Sequence, residues 1–244
     1  MIKTGGHGMV QLAVRRSGDV WFGIAWADEA FVATVVGATQ REAASALRSC
    51  LPPGVTAEPH GGASAFLDRA IEMLAAVESG NERHKQYQLS PHYLSEPMFR
   101  IYSVAAAIPL GFVTTYGAVA RAAGSEARAV GRAMATNPLY PIVPCHRVVG
   151  SDLSLVGYGG KQDAAALRDK FARLAAEARG EFTPREISVA GSGSSAGTEE
   201  LGSLEVYPVE WLIRATREAD ERRLARVEAE KERQRLDALQ LRLF

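Results

Sequence analysis

Three runs of β-branched and aromatic residues, Val10 to Val14, Val20 to Trp26 and Ala30 to Val36, are separated only by Ser17-Gly18-Asp19 and Ala27-Asp28-Glu29. Breaks this short cannot carry a crossover, so the strands must pair antiparallel as a meander of hairpins. The residues that follow supply a cover for one face of such a sheet. Thr39 stands before a helical stretch from Arg41 to Cys50 that Pro52-Pro53-Gly54 ends, and a second helix is expected from Ser64 to Val77. In that second helix Phe66, Leu67, Ala70, Ile71 and Leu74 share one face. Residues 1–80 therefore read as a small antiparallel-sheet domain with helices. His7, His60, Cys50, Trp21 and Trp26 read as surface or core residues within it.

Residues 81–96 are polar and irregular, a connector carrying His84 and His92. Phe99 to Ala107 predicts a helix ending near Pro109-Leu110-Gly111. Tyr116 to Ala122, a Gly124-Ser125 turn, and Ala127 to Thr136 then give two short helices around a glycine turn, the pattern of a helix-turn-helix. The segment 97–180 thus reads as mostly helical, and the fold class of the whole as α+β. Residues 181–203 are rich in Gly and Ser, with Ser192-Gly193-Ser194-Ser195-Ala196-Gly197 at their centre, and read as a flexible linker. Residues 204–244 form a helical C-terminal extension without Gly or Pro from Val209 to Leu243. Its Leu212, Ala215, Ala219, Val227, Leu236, Leu239 and Leu243 recur at helical intervals but sustain no clean heptads. The consecutive Trp211-Leu212-Ile213 would dock on the body of the chain or join it to a second copy or another protein. On this division, a chain cut after Gly180 keeps its activity.

Net charge is zero, 28 Lys and Arg against 28 Asp and Glu, so the whole chain gives no argument for nucleic acid. Its distribution does. From Pro97 to Gly180 ten basic residues face five acidic ones, the sign that phosphate contact requires. The two cysteines, Cys50 and Cys145, show neither Cys-x-x-Cys spacing nor a histidine cluster, so no metal and no cofactor is expected. No run approaches the length of a membrane span, and the N-terminus lacks the apolar core of a signal peptide. With a reactive thiol in addition, the expectation is a soluble cytoplasmic protein.

The chemistry concentrates at Pro141-Ile142-Val143-Pro144-Cys145-His146-Arg147-Val148-Val149. A cysteine is a nucleophile only as thiolate, and a neighbouring imidazole can take its proton. Pro141 and Pro144 stiffen the approach to the thiol. The dipeptide alone is equally at home in a core, where cysteine serves as a small hydrophobe.

Its surroundings narrow the reading. Thr115-Tyr116-Gly117, Ala123-Gly124-Ser125, Ala127-Arg128-Ala129-Val130-Gly131-Arg132-Ala133-Met134 and Asn137-Pro138 precede it, and Gly157-Tyr158-Gly159-Gly160 follows. In identity, order and spacing this series resembles the catalytic domain of the 6-O-alkylguanine-DNA alkyltransferases, also called methylated-DNA–protein-cysteine methyltransferases, from about Glu96 to Gly180. The resemblance implies repair by irreversible transfer of an alkyl group from guanine in double-stranded DNA to Cys145. It implies that the helix from Ala127 enters the minor groove, with Ala127, Ala129 and Gly131 small enough for close approach, and that Arg128 replaces a flipped nucleotide. It further implies that His146 acts as base through a water, that Glu177 orients it, and that Tyr116 meets the neighbouring phosphate and protonates the departing guanine. Met134, Asn137, Tyr140, Val148, Tyr158 and Gly159 would belong to the alkylguanine pocket. Two departures stand out: Tyr158-Gly159-Gly160 is one residue shorter than the usual Tyr-x-Gly-Gly, and Tyr140 replaces a small residue or proline at the pocket rim.

Three other readings compete. A non-enzymatic binder of alkylated bases would lack the cysteine that stands here. A helix-turn-helix regulator would need a recognition helix able to read base edges, whereas Ala127 to Thr136 is mostly small and apolar. A cysteine hydrolase would need an oxyanion hole, for which the sequence carries no sign.

Overall fold

A computed structural model of the chain describes residues 9–81, 87–190 and 200–240. The expected meander forms: β1 (Val10–Ser17), β2 (Val20–Ala27) and β3 (Ala30–Gly37) pair antiparallel in sequence order. Gly18 closes the first turn with φ 58°, and Asp28 and Glu29 close the second with φ 51° and 57°. Positive φ at both central residues is the turn whose twist suits a two-residue hairpin. Helix α1 (Gln40–Cys50) starts at a reciprocal cap: Glu42 N–H donates to Thr39 Oγ1, and Glu42 Oε2 accepts from Ala38 N–H. A short β4 (Ala57–Pro59) lies parallel to β1, and α2 (Ala65–Glu78), capped by Ser64, packs Leu67, Ala70 and Leu74 inward.

Helix α3 (Glu96–Ala106), with Pro97 in its first turn, leads to β5 (Phe112–Thr115). The helix-turn-helix follows as α4 (Tyr116–Ala123) and α5 (Ala127–Ala135). Gly124 ends α4 in the left-handed region, and Ser125 N–H reaches back to Ala120 O at 2.8 Å, the glycine-terminated cap that lets the chain turn sharply. A single 3-10 turn at Cys145–Arg147 precedes β6 (Val148–Val149), and α6 (Ala164–Ala176) follows under an Asp163 cap. One apolar core joins the two halves: Phe22, Trp26 and Phe31 belong to the same cluster as Ile101, Tyr102 and Leu139. Leu89 of the connector bridges to Phe31 and is itself buried.

The linker reading of 181–203 is corrected. β7 (Arg185–Ala190) and β8 (Glu200–Pro208) form an antiparallel hairpin, and β8 adds to β5, giving a second sheet in the order β6-β5-β8-β7. Alternation explains it: Leu204 and Val206 face the core fully buried, while Glu205 between them is exposed. The Ser192–Gly197 stretch, like His7 and His84, lies outside the described residues.

Helix α7 (Val209–Gln240) is bound to this body at its first turns. Leu212 is buried with Val113, Val149 and Leu174, and Trp211 Nε1–H donates to Phe182 O at 3.2 Å. The Trp211-Leu212-Ile213 cluster therefore docks on its own chain. Glu210 Oε1 accepts three successive backbone N–H groups, from Arg179 at 2.9 Å, Gly180 at 2.6 Å and Glu181 at 3.2 Å. Among the described residues, no helix is long and apolar enough to cross a membrane.

Candidate active site

The backbone around Cys145 is set by a parallel pair of strands. Thr114 and Thr115 of β5 align with Val148 and Val149 of β6. Tyr116 leaves the C-terminal end of β5 and Cys145 enters β6 from its N-terminal end, and both line one cleft. Asn137 braces the loop between α5 and the turn: its Nδ2–H donates to Val143 O at 2.8 Å, and its Oδ1 accepts from Leu139 N–H at 3.0 Å. Pro141 to Pro144 are buried, and Cys145 N–H donates to Val143 O at 2.9 Å. The thiol itself is half-buried.

It lies in a cleft of about 610 Å³ between α5 and the 156–162 loop. Of the residues expected at the site, Tyr116, Ala127, Arg128, Gly131, Met134, Cys145, Tyr158 and Gly159 line the cleft. Arg128 is exposed, and a Cβ on Gly131 would meet open space. The shortened Gly159-Gly160 segment is a two-residue hairpin turn, φ 56° and 75°, with Tyr158 and Lys161 exchanging backbone hydrogen bonds at 2.9 and 3.0 Å. Six expected residues do not line the cleft, and two of them, His146 and Glu177, lie with Tyr140 on a separate cavity. Ala129 packs half-buried against the core, Asn137 braces the loop, and Val148 is buried in β6. Tyr140 is not at the cleft rim but on a separate cavity of about 150 Å³, where its O–H donates to Glu78 Oε2 at 2.6 Å.

Electrostatics sort the ionisable groups into roles. His146 Nε2 meets Glu177 Oε1 at 2.7 Å, and both side chains are shielded from water. Burial lowers the His146 pKa, and the Glu177 hydrogen bond and charge only partly oppose this. Burial alone would raise Glu177, but the hydrogen bonds from His146 and Arg147 prevail and bring it to about 2. Burial also raises the Cys145 thiol, against a hydrogen bond from Asn137 and the positive charges of Lys170 and Arg173. At neutral pH the thiol accordingly holds its proton while the adjacent imidazole is neutral and able to accept one, the protonation states a nucleophile and general base need. His146 Nδ1 is buried without a partner, the ring position left for a proton relay.

Several members of the site escaped the sequence reading. Arg147, 2% exposed, grips Glu177 through Nε and Nη2 and donates Nη1–H to Ile108 O at 2.9 Å. Lys170, fully buried, donates to Val148 O at 2.7 Å and Gly157 O at 3.0 Å, with Nζ 5.9 Å from the Tyr116 ring centroid. Its signal was present in the sequence: Lys170 occupies the i, i+4 stripe between buried Ala166 and Leu174. Arg132, Lys161 and Gln162 also line the cleft.

Residues 97–179 match the family model of the 6-O-methylguanine DNA methyltransferase, DNA binding domain. A methylated-DNA–protein-cysteine methyltransferase of Pyrobaculum aerophilum is 58% identical over 53 residues, covering 22% of this chain and 36% of that protein. One of Mycolicibacterium paratuberculosis is 38% identical over 96 residues, 38% of this chain and 58% of that protein. The matched segment thus spans less than two thirds of these relatives' own length. Among solved structures, Mycobacterium tuberculosis OGT in complex with DNA aligns at TM-score 0.50 and 27% identity over 69% of this chain and 93% of that one.

Proposed function

We propose, from the match of residues 97–179 to the 6-O-methylguanine DNA methyltransferase, DNA binding domain model, that this chain repairs DNA by moving the alkyl group of a 6-O-alkylated guanine onto Cys145. The observation that carries the reading is half-buried Cys145 on the cleft, followed directly in the chain by His146, whose Nε2 meets Glu177 Oε1 at 2.7 Å.

The target carbon sits inside a stacked duplex, so the nucleotide must leave the helix, at about a few kcal/mol. A cleft of about 610 Å³ is of the size that takes a flipped base. Exposed Arg128 at the start of α5 fills the space the base vacates, and Gly131 lets the helix backbone approach the minor groove. Arg128, Arg132 and Lys161 at the cleft give the phosphates their counter-charge. His146 then takes the thiol proton through a water, and the new imidazolium rests against the Glu177 carboxylate. Sulfur attacks the alkyl carbon, so an S–C bond forms as the O6–C bond breaks, and guanine leaves with a proton supplied by Tyr116. Burial and the nearby Cys145 raise the Tyr116 pKa, which keeps its hydroxyl protonated until guanine needs it. Lys170, a buried cation near the thiol, stabilises the thiolate during attack. The thioether does not revert, so one molecule repairs one lesion.

Intact mass and peptide mapping after mixing with an oligonucleotide containing 6-O-methylguanine test this. One methyl group on Cys145 is expected, with Cys145→Ser binding the same duplex but gaining no mass. Repair by Cys145→Ser, or methyl found elsewhere, would falsify the assignment.

A further inference from the structure

Tyr140, Glu78 and Arg173 come from three separate parts of the chain and meet behind His146. Tyr140 O–H donates to Glu78 Oε2 at 2.6 Å, Arg173 Nη1–H donates to the Tyr140 oxygen, and Arg173 pairs with Glu78 Oε1 at 3.3 Å. The Arg173 guanidinium also lies over the Tyr140 ring, 5.1 Å from its centroid. Tyr140 and His146 stand edge to face, 65° apart in plane with centroids 6.2 Å apart. His146 is thus held at two places, by Glu177 at Nε2 and by the Tyr140 ring at its side.

A tyrosine hydroxyl with one donor and one acceptor partner is fixed about its ring axis, and a fixed ring can fix a neighbour by packing. Glu78 is the last residue of α2, in the half of the chain that otherwise holds no part of the cleft. The cavity these residues line shares none of its lining with the thiol cleft. None of the three side chains lines the thiol cleft; Arg173 bears on the thiol by its charge, and Tyr140 bears on the site by its packing against His146.

We infer that Tyr140 is a positioning residue for His146, locked by Glu78 and Arg173, so that the N-terminal half of the chain sets the geometry of the base that receives the Cys145 proton. This rests on the alkyl-transfer reading for its functional consequence, though not for the geometry itself. The charged and titratable groups facing His146 are Glu177 and Arg173 of α6 and its end, Arg147 of the 3-10 turn, and Tyr140. Burial, with Glu78 adding to it, raises the Tyr140 pKa so far that its hydroxyl stays protonated throughout the working range.

The test compares the full-length protein with Tyr140→Phe, Tyr140→Ala, Glu78→Ala and Glu78→Gln. Single-turnover methyl transfer from a 6-O-methylguanine duplex is measured against pH, alongside duplex affinity and the imidazole 15N spectrum of His146. Tyr140→Ala and Glu78→Ala should slow transfer at neutral pH by roughly two- to tenfold, the size of an aromatic positioning contact. Tyr140→Phe should fall between them and wild type. Duplex affinity should be unchanged, and the rates should converge at alkaline pH, where the thiol ionises without a base. Glu78→Gln, which still accepts from Tyr140, should recover most of the rate. In the 15N spectrum, wild type should show one tautomer and the alanine variants a mixture. A slowing equal at every pH, or a folded Glu78→Ala identical to wild type in rate and spectrum, overturns the proposal. Should wild type transfer no methyl, the alkyl-transfer reading falls, and the His146 spectrum still decides whether Tyr140 positions the ring.

Discussion

The guanidinium of Arg147 meets the carboxylate of Glu177 through two hydrogen bonds, Nε to Oε2 at 2.8 Å and Nη2 to Oε1 at 2.9 Å. The same carboxylate accepts His146 at 2.7 Å, so one acid at the end of α6 serves two neighbours of the thiol. Arg147 keeps Glu177 ionised, and the ionised Glu177 in turn supports the imidazole. The residue after the base thereby anchors the partner of the base.

Replacing Arg147 should therefore cost more than a surface ion pair does. Arg147→Met leaves Glu177 charged and sheltered with a single remaining partner, a change worth about 3–5 kcal/mol of stability. Arg147→Lys should recover little of it, because an ammonium cannot supply the two-pronged contact. Urea unfolding of the three proteins at neutral pH measures this, and a lysine variant as stable as wild type would contradict it.

Stability should also fall with acid in two stages. The Glu177 pKa is depressed from 4.5 to about 2, so its contribution is complete above about pH 4.5 and disappears as pH drops through about 2. That difference is worth about 3 kcal/mol. His146, buried with a lowered pKa, contributes above its ordinary 6.5 and loses that contribution as pH falls through its folded value. Unfolding free energy measured from pH 7 to pH 2 should decline over both ranges, and Glu177→Gln should flatten the lower one. Parallel curves for the two proteins there would refute the assignment.

Lys170 should be read through the thiol. Burial lowers its pKa to about 8, and the nearby Cys145 opposes that shift. Lys170→Met removes a positive charge that favours the thiolate, so the pH profile of Cys145 alkylation by iodoacetamide should move to higher pH. It also leaves Val148 O and Gly157 O without their donor, at about 1–3 kcal/mol. An unmoved alkylation profile in the folded variant would show that Lys170 acts on structure alone.

Two truncations should behave oppositely. A chain cut after Gly180 loses β8 from beside β5, along with buried Leu204, Val206 and Leu212, and should aggregate or unfold. A chain cut after Arg217 keeps Glu210 and Leu212 and discards a largely exposed stretch of α7, and should melt with the full chain and transfer methyl at its rate. Light scattering and thermal melts distinguish them. A soluble, folded and active product of the first cut would mean that β8 is dispensable.

What the sequence disclosed followed from local rules, and what it concealed depended on distant partners. The hairpin turns, the Thr39 and Ser64 caps and the Gly124 stop each act within a few residues, so they were legible. The linker was misread because glycine and serine dominated its composition and hid the alternation at Leu204-Glu205-Val206. The basic surplus of 97–180 has the sign phosphate contact requires, yet two of its ten members, Arg147 and Lys170, are internal. Tyr140 lies on a different cavity from the one its position in the motif suggests, since nothing local announces that Glu78 accepts from its hydroxyl.

The placement of β8 has a consequence in time. Phe112 pairs with Pro208, so the strand that completes the second sheet is made long after the one it joins. At synthesis rates of about 5–20 residues per second, the nascent chain carries a finished Cys145 segment for several seconds before Pro208 is added. During that interval one edge of β5 has no partner, and an open edge invites pairing with another chain. The segment that carries Cys145 is thus made before the sheet beside it is finished, and newly made copies pass through an interval with an open strand edge.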